Sequence, residues 1–136
     1  AWELPPYSLF ELMFNNMIFC TALFRRSDFE TYKGYKPDMI YGFEDWDLWL
    51  GILKNGGKVV RLDHTHFYYR ITKESMVSNL TQAQYETMQK QIWERHTDVW
   101  TTCYKELMAM KNKLDEIEQK PIGFLSKKMM AKIKKR

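Results

Sequence analysis

The sequence predicts an α/β fold in which a short mixed sheet is flanked by helices and followed by a helical C-terminal extension. The apolar run Met17–Phe24 is eight residues long and bounded by polar residues, which favours a buried strand over a helix. Two more short strands are expected at Lys58–Leu62 and His66–Ile71, with a turn between them. Elsewhere, apolar residues recur at helical spacing, as in the segment from Phe43 to Asn55.

The predicted helices have recognisable starts and ends. Capping boxes, in which Ser or Thr precedes Glu or Gln by three residues, predict helix starts at Ser8, Ser27 and Thr81. The Gly56–Gly57 pair ends the helix that starts near Phe43. The helical region after Thr81 should break near Asp98, because Asp is a better cap than helix interior.

An apolar stripe follows this break and continues towards Pro121. It consists of residues at three-and-four spacing: Val99, Cys103, Leu107, Met110, Leu114 and Ile117. Such a stripe must be buried against something, either the chain's own sheet or a partner chain. We expect the sheet edge and apolar face to be covered by a second copy, so a homo-oligomer is predicted.

Composition narrows the class of protein. Hydrophobic residues make up 45% and aromatic residues 15% of the 136 residues, so the chain should fold. No apolar run approaches the roughly 20 residues that span a bilayer. The size and the first residue, Ala1, lead us to expect a fragment of a larger enzyme. Cys20 and Cys103 fit neither a disulfide framework nor a zinc site, so we expect reduced core thiols in a cytoplasmic protein.

The net charge of +4 is unevenly distributed. Seven of the 21 basic residues and no acidic residue lie in positions 120–136, so the remainder, with 14 basic and 17 acidic residues, carries −3. A nucleic-acid surface across the fold is therefore not expected. In the tail, the apolar residues lie four apart, at Leu125, Met129 and Ile133, and lysines surround them. This pattern is typical of a basic helix on an anionic membrane surface, and a solvated tail is the alternative.

Two adjacent carboxylates, Glu44 and Asp45, lie where a loop is expected to become a helix. Backbone N–H groups and the helix dipole favour negative charge at that point, so both side chains should be ionised at neutral pH. An ionised carboxylate at the mouth of a loop can accept a proton. The alternative is that Glu44, Asp45 and Asp47 only complement the helix dipole.

Several short motifs follow one another in a fixed order across residues 4–79. They are Phe24-Arg25-Arg26, Gly34-Tyr35, Glu44-Asp45-Trp46-Asp47, Gly57-Lys58-Val59, Tyr69-Arg70 and Ser75-Met76. This ordered set resembles the family-2 glycosyltransferases. The resemblance implies the C-terminal half of a GT-A, Rossmann-like catalytic domain, active only together with its N-terminal half.

The resemblance also implies roles for individual residues. Asp45 would be the general base of an inverting transfer from a nucleotide-sugar donor, and Glu44 would bind the acceptor. Arg70 and Ser75 would bind the donor diphosphate, although a surface salt bridge is an equal alternative for Arg70. A divalent cation, Mg or Mn, is expected in the intact enzyme with its main ligands outside this chain. The Asp45-Trp46-Asp47 sequence matches the metal-binding Asp-x-Asp pattern only by accident, because it opens a helix.

Several interpretations stay open on the sequence alone. His64 and His66 would point to one face of a strand and could approach a metal, but packing or surface roles are the alternative. The expected division is 1–79 for the acceptor-side half, 80–120 for the helical extension and 121–136 for the basic tail. The acceptor is expected to be a glycan or lipid-linked, and the enzyme peripheral at the inner membrane face. The rival function is a non-catalytic binding or assembly module that uses the long helix and the tail.

Overall fold

The computed structural model describes residues 4–64, 67–68 and 79–119. These residues form six α-helices, which are, in chain order, α1 (Leu9–Leu12), α2 (Arg26–Tyr32), α3 (Glu44–Leu53), α4 (Gln82–Arg95), α5 (Thr97–Thr102) and α6 (Tyr104–Gln119). They divide into two compact units, Ala1–Val99 and Trp100–Arg136. The predicted boundaries at residues 79 and 120 remain predictions.

The predicted α/β fold, with its short mixed sheet and GT-A half-domain architecture, is wrong. The parts of the chain that the structure describes contain helices and no strand. A strand requires a neighbouring strand for its backbone hydrogen bonds, but Met17–Phe24 instead forms a local turn in which the Ala22 N–H donates to the Phe19 carbonyl at 2.9 Å. Leu23 is 97% exposed, so the run is not a buried one.

The other two predicted strands have different outcomes. Lys58–Leu62 has no regular structure, and both Val60 and Leu62 are exposed. Without burial on one face, nothing offsets the entropy that an ordered extended segment loses. Most of the predicted strand His66–Ile71 lies outside the described residues.

Most of the predicted helix boundaries are confirmed. The Ser8 side chain accepts from the Glu11 N–H at 3.4 Å, and Thr81 forms a complete capping box. The helix predicted from Phe43 ends near Gly56, which has a φ of +90°. The break near Asp98 is also confirmed, because α4 ends at Arg95 and α5 begins at Thr97. The cap at Ser27 is wrong, since α2 begins at Arg26 and its N-cap is Arg25, two residues earlier.

In the unit Ala1–Val99, α3 provides the largest share of the core. The buried apolar residues of this unit come from α3, α1, α4, α5 and the loops: Leu12, Met13, Met17, Met39, Trp46, Leu48, Trp49, Leu50, Leu53, Met88, Ile92 and Val99. The Trp46 indole N–H donates to the Leu12 carbonyl at 2.6 Å, which ties α3 to the end of α1. A Cβ at Gly51 would overlap the Tyr32 ring, so the absence of a side chain there lets α2 lie close to α3. These contacts fix α3 in place.

In the unit Trp100–Arg136, the described helix α6 has no buried residue. Of the predicted apolar stripe, Val99 and Cys103 are buried, whereas Met110 and Leu114 on α6 are exposed. Both cysteines are free, as predicted, but Cys20 is exposed whereas Cys103 is buried. Among the described helices, none has the length and apolar character to cross a membrane.

Candidate functional site

The candidate site begins where the chain enters α3. Gly42 and Phe43 both have positive φ angles, of 106° and 68°. A left-handed conformation costs a residue with a side chain about 1–2 kcal/mol, so something must hold Phe43 there. Its ring packs edge-on against Trp46 and Tyr85, at centroid distances of 5.5 Å and 5.3 Å. These aromatic contacts set the direction in which α3 begins.

Asp45 is half-buried in the first turn of α3. Its Oδ1 accepts the Trp46 N–H at 2.8 Å. Burial raises the pKa of Asp45, and the charge of Glu44 adds to this, while hydrogen bonds from the Trp46 backbone and the Asn16 side chain oppose it. Burial therefore has a larger effect on this carboxyl than the helix N-terminus considered from the sequence. A carboxylate with a raised pKa is a stronger base than an ordinary aspartate.

The charges of the two adjacent acids act on Tyr35. The pKa of Tyr35 is raised, first by burial and then by the negative charges of Asp45 and Glu44. Its phenol therefore stays protonated and able to donate a hydrogen bond near the carboxylates. Glu44 itself is partly exposed, at the first position of α3. The arrangement offers two partly buried carboxylates and a phenol.

Asp47 has a different environment, although it lies only two residues further along. Its side chain is fully buried, and three donors surround it. The Tyr32 hydroxyl donates to Oδ2 at 2.9 Å, and Arg95 Nη1 lies 2.7 Å from Oδ1. His96 Nε2 lies 3.0 Å from the same oxygen. Arg95 also bonds Asp38 through Nη2 at 2.6 Å, so the network joins the end of α4 to the loop before α3.

The network keeps Asp47 ionised. Burial alone would raise the pKa of Asp47, but hydrogen bonds from His96, Arg95 and Tyr32 outweigh it and the pKa is lowered from its usual value. Burial and the Asp47 charge raise the pKa of Tyr32, so its hydroxyl remains a donor. Because its oxygens are occupied by these donors, Asp47 has a structural role. The helix-dipole interpretation of all three acids therefore does not describe Asp47, which contacts residues far along the chain.

The same geometry decides whether Asp45-Trp46-Asp47 could hold a divalent cation. It does not fit, because a cation would have to displace Arg95 and His96 from the Asp47 carboxylate. Within the described ranges, no group of three or more His, Cys, Asp or Glu side chains is placed to hold a metal ion. His64 is exposed. His66, Arg70 and Ser75 lie outside the described residues, so their predicted roles remain predictions.

Comparison with known families adds a second line of evidence. A family profile described as the N-terminal domain of galactosyltransferase matches residues 7–74, half of the chain. The chain belongs to that family. The match spans α1, α2 and α3 and includes Glu44 and Asp45 of this galactosyltransferase-family domain. Comparison with curated proteins and with solved structures gave no match.

Family membership defines the general function as glycosyl transfer. It supports the predicted glycosyltransferase domain but extends neither to family 2 nor to a position in the C-terminal half. Of the two residues predicted to bind diphosphate, Arg70 lies inside the matched segment and Ser75 just beyond it.

The network around Asp47 is not predicted by the sequence. The three donors lie 15 to 49 residues from Asp47 along the chain, so no local spacing connects them with it. His96 is itself buried within this network. The adjacent pair Arg95-His96 at the end of a predicted helix is a sequence signal for such a network. If these polar side chains are buried, they require hydrogen-bond or ionic partners.

Proposed function

We propose that this galactosyltransferase-family domain transfers a sugar from a nucleotide-sugar donor to an acceptor hydroxyl with inversion, using Asp45 as general base. The observation that carries the proposal is the contrast between the two aspartates of α3. Both lie inside the matched segment, but Asp47 is locked by Arg95 and His96, whereas Asp45 is half-buried with a raised pKa. Asp45 is thus the aspartate of this helix that is suited to accept a proton.

The proposed reaction is a single displacement at the anomeric carbon of the donor sugar. The acceptor oxygen forms a bond to the anomeric carbon on the face opposite the diphosphate. The bond from that carbon to the diphosphate oxygen breaks, and its electron pair leaves with the diphosphate. The acceptor hydroxyl proton passes to the Asp45 carboxylate. General-base assistance of this kind contributes about 10² to 10⁴ in rate.

Glu44 is proposed to orient the acceptor by accepting a hydrogen bond from a second hydroxyl. It is next to Asp45 and more exposed to solvent than the core of α3, so an acceptor can reach both. Arg70 and Ser75 are proposed to bind the donor diphosphate, since guanidinium and hydroxyl groups suit phosphate oxygens. A divalent cation, Mg or Mn, would be held by residues outside this chain.

The test is sugar transfer by Asp45→Asn, which keeps the side-chain shape but cannot act as a base. Transfer is assayed with a panel of radiolabelled nucleotide sugars. We expect a fall of about 10² to 10⁴ in kcat for Asp45→Asn. Proton NMR of the product should show an inverted anomeric configuration.

Asp28→Asn is the matched control. Asp28 is also a first-turn acid, in α2, and exposed, so this variant removes the same contribution to a helix dipole. We expect it to retain the rate of the unmodified protein. Equal rates in Asp45→Asn and the unmodified protein would exclude Asp45 as the base. Equal losses in the two variants would indicate that only the helix dipole matters.

A second candidate function is the assembly module, and the exposed face of α6 favours it. Tyr104, Met110 and Leu114 are exposed on a helix that buries none of its residues. In this function, a second copy of the chain covers the face. Light scattering should then show a dimer that Leu114→Lys dissociates and Lys113→Glu does not. A monomer at all concentrations would exclude this function. The basic tail, 121–136, lies outside the described residues, and its membrane role remains a prediction.

A further inference from the structure

A shallow pocket lies on the unit Ala1–Val99, apart from the buried network. It has a volume of about 250 Å³ and is lined by Phe24, Arg26, Phe29 and Tyr35. Pockets for drug-sized ligands usually begin at about 300 Å³, so this one suits a ligand of a single ring. Three of its four lining residues are aromatic, and the fourth is a cation.

The aromatic surface of the pocket is held in place by its neighbours. Phe24 and Phe29 are stacked, with centroids 5.7 Å apart and ring planes 24° apart. Tyr35 packs edge-on against Phe29 at 5.3 Å, and Phe24 packs edge-on against the buried Trp49 at 5.5 Å. Gly34, with a φ of +65°, has no side chain where the Phe29 ring lies, and a Cβ there would be 2.9 Å from that ring. The rings are therefore positioned before any ligand arrives.

Polar donors stand at the edge of this aromatic surface. The Arg26 guanidinium has five N–H groups, and its Nε donates to Glu30 at 2.7 Å. Its side chain is otherwise largely exposed. The Tyr35 hydroxyl adds a second donor. An apolar surface with a few polar groups at its edge is the usual composition of a small-ligand site.

Tyr35 connects the pocket with the proposed catalytic carboxylates. Its ring lines the pocket, while its hydroxyl is close enough to Asp45 and Glu44 for their charges to raise the pKa of the phenol. Tyr35 therefore belongs both to the pocket lining and to the electrostatic surroundings of the two acids. The pyranose ring has a suitable shape, because one face presents C–H groups and its edge presents hydroxyls. C–H groups are attracted to the negative face of an aromatic ring.

We propose that this pocket binds a sugar ring of the acceptor glycan, with the C–H face of the ring packed against the exposed part of the Phe24–Phe29 stack and its hydroxyls bonded to Arg26 and Tyr35. The inference rests on the proposed function, since glycosyl transfer is what requires an acceptor. It adds four residues, none of which is assigned a role by the sequence.

The test measures binding directly, without turnover. Saturation-transfer-difference NMR is recorded on the 136-residue chain with the methyl β-glycosides of glucose, galactose and N-acetylglucosamine. We expect transfer to the ring C–H protons of at least one of them. Phe29→Leu keeps the apolar volume but removes the π face, and should weaken binding roughly threefold to tenfold. Tyr35→Ala changes an exposed residue and should weaken sugar binding by a similar factor. This variant provides a second test if Phe29→Leu unfolds.

Two controls separate this inference from the proposed function. Phe14→Leu removes a ring of the Phe10–Phe14 pair, which lies outside the pocket lining, and should bind sugar normally. Asp45→Asn should also bind sugar while losing transfer. Absence of any saturation transfer in the unmodified chain, or unchanged binding in Tyr35→Ala, would overturn the inference. So would a change in self-association instead of sugar binding in Phe29→Leu. If Asp45→Asn keeps full transfer, only the proposed function fails.

Discussion

Replacement of Asp47 by Asn tests the buried network most directly. The substitution keeps the side-chain volume but removes the charge that Arg95 faces at 2.7 Å, and it places an amide donor among the donors Tyr32, Arg95 and His96. Breaking a buried ion pair by removing one partner costs about 3–5 kcal/mol. In this network Arg95 keeps its bond to Asp38, and its side chain is 24% exposed, which relieves part of that cost.

We therefore expect Asp47→Asn to lower the free energy of unfolding by about 2–3 kcal/mol, or roughly 30- to 150-fold in the folding equilibrium. Urea unfolding followed by tryptophan fluorescence should show it. With an m-value of about 2 kcal/mol/M, the midpoint should fall by about 1–1.5 M. Asp115→Asn, in an exposed pair with Lys111, should change stability by no more than about 0.5 kcal/mol.

The pH dependence gives an independent check. Because the pKa of Asp47 is lowered in the folded protein, its stabilisation is present above the unfolded pKa of about 4 and is lost as the pH falls through the lowered pKa. The difference in stability between the unmodified chain and Asp47→Asn should be constant from about pH 7 to 5 and shrink below about pH 4. A difference below about 0.5 kcal/mol at pH 7, or one that grows on acidification, would refute the reasoning.

Three more predictions concern α3 and α4. Since burial raises the pKa of Asp45, the acidic limb of the kcat profile should lie at higher pH than for an ordinary aspartate, and a limb below pH 3.8 would contradict this. Gly51→Ala should cost about 1–3 kcal/mol in a urea melt, because the added methyl group overlaps the Tyr32 ring. Thr81→Ala removes a capping box with Gln84 and should cost about 1 kcal/mol, with faster hydrogen exchange in the first turn of α4; unchanged exchange there would contradict it.

The sequence predicts the features that depend on neighbouring residues. A capping box joins two side chains three positions apart, so Thr81 and Gln84 are sufficient to locate the start of α4. The end of α3 is equally local, since the helix ends at Leu53 and Gly56 follows three residues later with a positive φ. Ser27 shows the limit of this kind of signal, because α2 begins at Arg26 without any side-chain cap.

Whether a sheet forms could not be predicted from neighbouring residues in the same way. Apolar runs such as Met17–Phe24 satisfy the pattern of a buried strand, but the pattern says nothing about whether a neighbouring strand is available. Strand pairing depends on contacts between distant residues, whereas helices satisfy their backbone hydrogen bonds within one segment. For the candidate site, the acids can be recognised from sequence, but the three donors around Asp47 and the aromatic pocket come from separate segments.

The different environments of Asp45 and Asp47 follow from helix geometry. Each residue of an α-helix turns the chain by about 100°, so side chains two positions apart point in nearly opposite directions. In an extended segment the same spacing would place both carboxylates on one face, where a cation could bridge them. On α3 one carboxylate enters the core and fixes the helix through Arg95 and His96, while the other remains near the surface beside Tyr35. Asp47 therefore serves the proposed chemistry by holding Asp45 in position, which is why we expect Asp47→Asn to reduce transfer only as far as it loosens α3.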